Sequence, residues 1–141
     1  MATLSLPALK RAISLWGPVL AYMGLIFYLS SQPDVPLPPG LDDKPTHSIA
    51  YTMLGALIVR ALSGRFSARF GVATALAAIV LTTVYGVTDE FHQMFVPGRT
   101  ADVDDLVADA LGAAIGTGLC WLWGIIARAR TAVAGRPPHG L

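Results

Sequence analysis

Apolar and polar positions fall in long blocks along this chain. Four stretches carry no Asp, Glu, Lys or Arg: residues 12–33, 45–59, 70–88 and 110–127. Three of them reach the length of a bilayer crossing, about 20 residues. The run 45–59 is shorter and reaches it only with His47 near one interface and Arg60 snorkelling at the other. The pattern predicts an all-α fold: a four-transmembrane-helix bundle forming one domain over residues 1–127, then a flexible basic tail over 128–141. Three spans plus a re-entrant segment is the alternative.

The first helix is expected over roughly Arg11–Leu29, after a short arm. Pro18 lies within its first turns, and the carbonyl it frees must be satisfied by a neighbouring helix. Ser30–Gly40 holds Pro33, Pro36, Pro38 and Pro39 and reads as a stiff extended loop, with Ser31 and Gln32 either facing a polar site or serving as spacer. Asp42-Asp43-Lys44-Pro45 is an ordinary opening for the second helix. After a turn with Gly64 as breaker, the third helix is expected over roughly Ser67–Gln93; its FGVATALAAIVLTTV segment suits close helix packing. Phe95–Thr100 is the turn into the fourth helix, with Thr100 and Asp102 competing for its cap.

Composition agrees with a lipid setting: 54% of residues are hydrophobic and 13% charged, against roughly a quarter charged in soluble domains. The distribution of charge says more than its net value. Eight of ten basic residues (Lys10, Arg11, Arg60, Arg65, Arg69, Arg128, Arg130, Arg136) fall on one side of a four-span arrangement. The acids fall on or near the other, joined by Lys44 and Arg99. The positive-inside rule then places both termini in the cytoplasm and the acidic side outside the cytoplasmic membrane. The same rule accounts for the arginines, so nucleic acid is not expected as a partner. Cys120 is single, which excludes an intramolecular disulfide, and reads as a small core filler. The first run is too long for a typical signal-peptide core and is expected to be retained.

The acids concentrate. Only Asp34 falls outside the Asp42–Asp43 pair and the stretch Tyr85–Gly116. Asp43, His47 and Tyr51 recur at i, i+4, i+8 and share one face at the start of the second helix. Tyr85, Asp89, His92 and Gln93 share a face at the end of the third; Glu90, also a candidate pocket residue, is rotated by about 100° from Asp89, so the two are not expected to point at the same centre. Asp102, Asp105, Asp109, Gly112 and Gly116 follow at spacings of 3, 4, 3 and 4. That face begins as a carboxylate ladder and continues as a Gly-xxx-Gly packing seam, which turns the carboxylates into the bundle. Ionisable residues inside spans mark functional sites by default. Asp89, Asp105 and Asp109 in one mouth repel, and Arg99 with Lys44, a protonated acid, or a bound cation would relieve them. Arg99 suits an internal carboxylate pair or an external phosphate. No HExxH, cysteine pair or other spacing of metal-ligand specificity occurs, so no metal is assigned, and nothing identifies a cofactor. Ser31 and Ser48 offer no identifiable nucleophilic triad, so no catalytic residue is assigned.

FYLSSQP, DKPTHSIAY and YGVTDEFHQMFVPGRTADVDDLVADALGAAIG, in that order, resemble the VanZ-like family of small membrane proteins over roughly residues 27–118. The resemblance implies a four-helix membrane protein. The residues that match the family's pattern are Ser31, Gln32, Asp43, Lys44, His47, Tyr51, Tyr85, Asp89, Glu90, Gln93, Pro97, Arg99, Asp102, Asp105 and Gly112. At position 109 the family usually has Asn and this chain has Asp. The family is named for a protein conferring low-level teicoplanin resistance without remodelling the peptidoglycan precursor, which implies a cell-envelope setting and no particular reaction.

The first functional expectation is a protein binding a phosphate-bearing membrane lipid, lipid-linked glycan or glycopeptide at its outer mouth, with Arg99 and Lys44 on the phosphate and His47, Asp89 and Gln93 completing the pocket. The alternatives are an enzyme acting on a lipid-linked substrate, with His47 as general base, and a small ion-coupled carrier. Oligomeric state is not readable from the sequence.

Overall fold

The computed structural model describes residues 5–33, 43–64 and 70–134. All regular structure among them is helical: α1 (Leu6–Ser30), α2 (Asp43–Ser63), α3 (Val72–Gln93) and α4 (Val103–Ala134). The proline-rich loop from Asp34, Asp42, the Asp43 side chain, Arg65, Arg69 and the chain beyond Ala134 lie outside the described residues. Three helices, α1, α3 and α4, are long and apolar enough to cross a membrane.

Several helix ends differ from the sequence expectation. α1 starts at Leu6 instead of Arg11, because Pro7 in the first turn costs no hydrogen bond there. α3 starts at Val72 instead of Ser67, because Gly71 is extended (φ −85°, ψ 174°) at its N-cap. α4 runs on to Ala134, past the boundary drawn at residue 127. Alanine and arginine, which alternate there, are strong helix formers.

α2 is the centre of the bundle. It packs against each of the other three helices, most extensively against α4, while among the described residues the backbones of α1 and α4 stay apart. Its Tyr51, Leu54, Ile58 and Val59 form the core with Val19 and Ile26 of α1 and Ala78 of α3. The outer faces of the other helices present Leu20 and Phe27, Val80 and Val84, and Leu111 and Ile115. Polar side chains turn inward instead: Thr82, Asp89, Gln93, Asp109 and Thr117 are all buried. An apolar exterior around a polar interior is the arrangement a lipid solvent selects.

The carbonyl that Pro18 frees is that of Ser14, four residues earlier, and Arg60 of α2 reaches it. Its Nη1 donates to Ser14 O at 3.0 Å and to Leu15 O at 3.4 Å. Arg60→Ala is therefore expected to destabilise the bundle by roughly 1–3 kcal/mol. Pro18→Ala in the same background restores an amide to Ser14 and should recover part of the loss. Thermal unfolding in detergent reads both; a full-sized loss that Pro18→Ala does not reduce would show that Arg60 acts elsewhere.

Candidate functional site

The C-terminal ends of α1 and α3 and the N-terminal ends of α2 and α4 meet at one end of the bundle. His47 Nδ1 and Asp109 Oδ1 are 3.0 Å apart, with Asp109 fully buried. Asp109 fits because Gly86 of α3 has no side chain: a Cβ there would stand 2.6 Å from Asp109 Oδ2. Beside this pair, Asp89 Oδ2 accepts from Ser30 Oγ at 2.7 Å and from Gln93 Nε2 at 3.5 Å. Gln93 Nε2 also reaches Glu90 Oε1 at 3.4 Å, and Glu90 Oε2 accepts the Asp102 amide at 2.9 Å. Tyr51 lies beneath, its ring parallel to His47 and 6.3 Å from both His47 and Tyr85. Tyr85 Oη donates to Met23 O at 2.6 Å, which ties α3 to α1.

The rim is more open. Lys44 Nζ lies 2.5 Å from Asp104 Oδ2 and 3.9 Å from Asp102 Oδ2, all three side chains being exposed. Asp105 is buried, and Arg99 is half-buried just after Gly98, whose φ of +84° makes the turn. On the α1 side, Ser31 Oγ and His92 Nε2 are 2.9 Å apart and Phe27 stacks on the His92 ring.

Of the residues singled out by spacing, His47, Tyr51, Tyr85, Asp89, Gln93, Asp105 and Asp109 lie at this end of the bundle with their helices in contact. Glu90 corrects the sequence reading. It does not point away from Asp89; Gln93 bridges the two, and the length of the Glu90 side chain makes up for its rotation. Lys44 and Asp102 sit on the rim, and the cap of α4 is Asp102, whose Oδ1 accepts the Asp104 amide at 2.9 Å. Thr100 does not take that role. Gln32 turns from the cluster to Tyr28 O. Spacing missed Ser30 and Asp104. The signal for Ser30 was its place one residue before Ser31, on a helix whose phase and end could not be read closely enough. Gly112 and Gly116 lie against the backbone of α2 at Ser48 and Thr52.

Two further features bear on chemistry. His47, Glu90 and Asp109, from three different helices, each offer one potential metal-ligand atom, all within 4.8 Å of one another. Between α1 and α4, an open apolar groove of about 750 Å³ runs along α2, lined by residues including Tyr22, Ile49, Met53, Leu119 and Trp123.

Helices with an apolar exterior, packed around buried carboxylates and a histidine at one end, define a multi-pass membrane protein. Residues 44–124, more than half of the chain, match the VanZ/LLP1 family, and the chain belongs to that family. No curated protein and no solved structure matches it.

Proposed function

We propose that this protein sits in the cytoplasmic membrane with α2 as a fourth crossing, and engages a phosphate-bearing lipid or lipid-linked glycan head group at its outward mouth, in a cell-envelope role. α2 has 21 residues, about 31 Å of helix. Its polar residues escape lipid by packing against the other three helices. The basic end, where Arg60 meets α1 and Arg11 approaches Gly64, faces the cytoplasm by the positive-inside rule. The observation that carries the ligand reading is the pairing of a polar mouth with an apolar groove. Ile49, within two turns of the start of α2, lines the groove, so an acyl chain lying beside α2 would bring its head group to the level of the mouth.

In this reading Arg99, half-buried at the turn into α4, anchors the phosphate through its planar guanidinium, with Lys44 beside it on the rim. Arg99→Ala is expected to lower the phosphate-bearing lipid retained through purification by roughly 10–100-fold, with insertion and abundance kept. Native mass spectrometry of the two proteins reads this. Equal lipid retention would remove Arg99 from the anchoring role.

A second reading, catalysis on a lipid-linked substrate, is favoured by the His47–Asp109 pair, in which a carboxylate could orient an imidazole base. Turnover of lipid-linked head groups by the purified protein, lost in His47→Gln, separates it from binding alone.

A further inference from the structure

The geometry points to a divalent-cation site formed by His47, Glu90 and Asp109, for an ion of the manganese or zinc type. The inference goes beyond the lipid reading and stands without it. One ligand atom from each residue lies within 4.8 Å of the other two. Three donors around one tetrahedral ion at about 2.1 Å lie ~3.4 Å from one another, so closure needs side-chain shifts of up to about 1 Å. The three residues come from α2, α3 and α4 and are buried, His47 at 8%, Glu90 at 6% and Asp109 at 0% exposure. Such a set is held by packing and does not resemble acids scattered on a surface.

A second observation is independent of that spacing. Asp109 Oδ2 has no hydrogen-bond partner although the side chain is completely buried. It is directed at α3 beside Gly86, one turn before Glu90. Asp89 Oδ1 and Tyr51 Oη, both buried, are likewise without partners. Buried carboxylates are ordinarily paired, hydrogen-bonded or bound to metal. His47 Nδ1 partners one oxygen of Asp109, and a cation at the three-residue site would partner the other. One imidazole with two carboxylates suits Mn²⁺ or Zn²⁺; an all-oxygen set would suit Ca²⁺ or Mg²⁺ better. In the lipid reading, the same ion places positive charge where a phosphate would otherwise meet carboxylates.

The test uses the full chain in detergent, stripped with chelator and titrated with MnCl₂ under electron paramagnetic resonance. The expected result is saturable binding of about one Mn²⁺ per chain, with nitrogen coupling from an imidazole. Asp109→Ala and Glu90→Gln should each weaken binding by a factor on the order of 100. Asp104→Asn, on the exposed rim, should leave it unchanged. Absence of stoichiometric binding overturns the site, as does binding without imidazole nitrogen coupling or binding lost in Asp104→Asn alone. The nitrogen coupling is read on the wild-type chain, so the outcome does not hang on any variant folding.

Discussion

Gly116→Leu is expected to leave little folded protein in the membrane. A side chain at this position would drive straight into the α2 backbone: the Cβ would collide with Thr52 O and stand 3.0 Å from Thr52 C and 3.2 Å from Ala56 N. Gly112 repeats the contact one turn earlier, where a Cβ would collide with Ser48 O and stand 3.0 Å from Thr52 N. Gly55 answers from α2, where a Cβ would stand 3.0 Å from the Ala113 carbonyl oxygen of α4. A side chain in the way can rotate, but a carbonyl inside a helix cannot move without its whole turn. The two helices must part, and α2 carries the packing of the other two as well. Overpacked core sites lose about 1–3 kcal/mol, occasionally more. Leucine against backbone belongs at the top of that range or beyond, out of a total stability of roughly 5–15 kcal/mol. Gly118, two residues on, has nothing within 4 Å of its Cβ position. Gly118→Ala should be neutral or stabilising by up to about 1 kcal/mol through helix propensity. Gly116→Ala should fall between the two. Size-exclusion profiles and melting temperatures of tagged variants in detergent measure the series. A Gly116→Leu protein that accumulates and melts like wild type would mean that α2 and α4 are not in backbone contact.

That seam was legible in the sequence because glycines at helical spacing in an apolar run have few other uses. The sharing of one bundle end by His47, Asp89 and Asp109 was legible too, since helical periodicity puts each on an inward face and short connections return the chain to the same end. What could not be read was anything that depends on side-chain reach. Glu90 is on the wrong face by helical angle, yet its two oxygens reach both the Gln93 amide and the Asp102 backbone. Ser30 partners Asp89 because α1 extends to that residue before it ends, and a one-residue change in phase would have brought a different side chain to the cluster. The central position of α2 leaves a trace that length alone hides. It is the helix that fails the apolarity expected of a span, and a helix enclosed by three others can afford Thr46, His47, Ser48 and Thr52. The chemistry proposed for the mouth has no comparable trace in the sequence. Ligand-binding sites assembled from three helices have no fixed spacing in one dimension.

Within the cluster, His47→Ala is expected to cost more stability than Asp109→Ala, although each breaks the same 3.0 Å contact. Removing His47 leaves the Asp109 carboxylate fully buried with neither oxygen partnered. Breaking a buried pair in that way costs about 3–5 kcal/mol. Removing Asp109 leaves an imidazole that can stay neutral, with a lost hydrogen bond worth roughly 1–3 kcal/mol. Asp109→Asn keeps an oxygen for His47 and should be milder than either. Gly86 supplies an internal check. Gly86→Ala places its Cβ 2.6 Å from Asp109 Oδ2 and 3.2 Å from Asp109 Cβ, so it should destabilise the wild type. In Asp109→Ala the Oδ2 clash is gone and the cost should shrink, a coupling of about 0.5–3 kcal/mol in a double-mutant cycle. Melting of all variants in detergent, with chelator present so that no bound ion contributes, gives both the order and the coupling. Equal losses for His47→Ala and Asp109→Ala, together with additive behaviour of Gly86→Ala and Asp109→Ala, would mean that the carboxylate does not occupy the slot between α2 and α3.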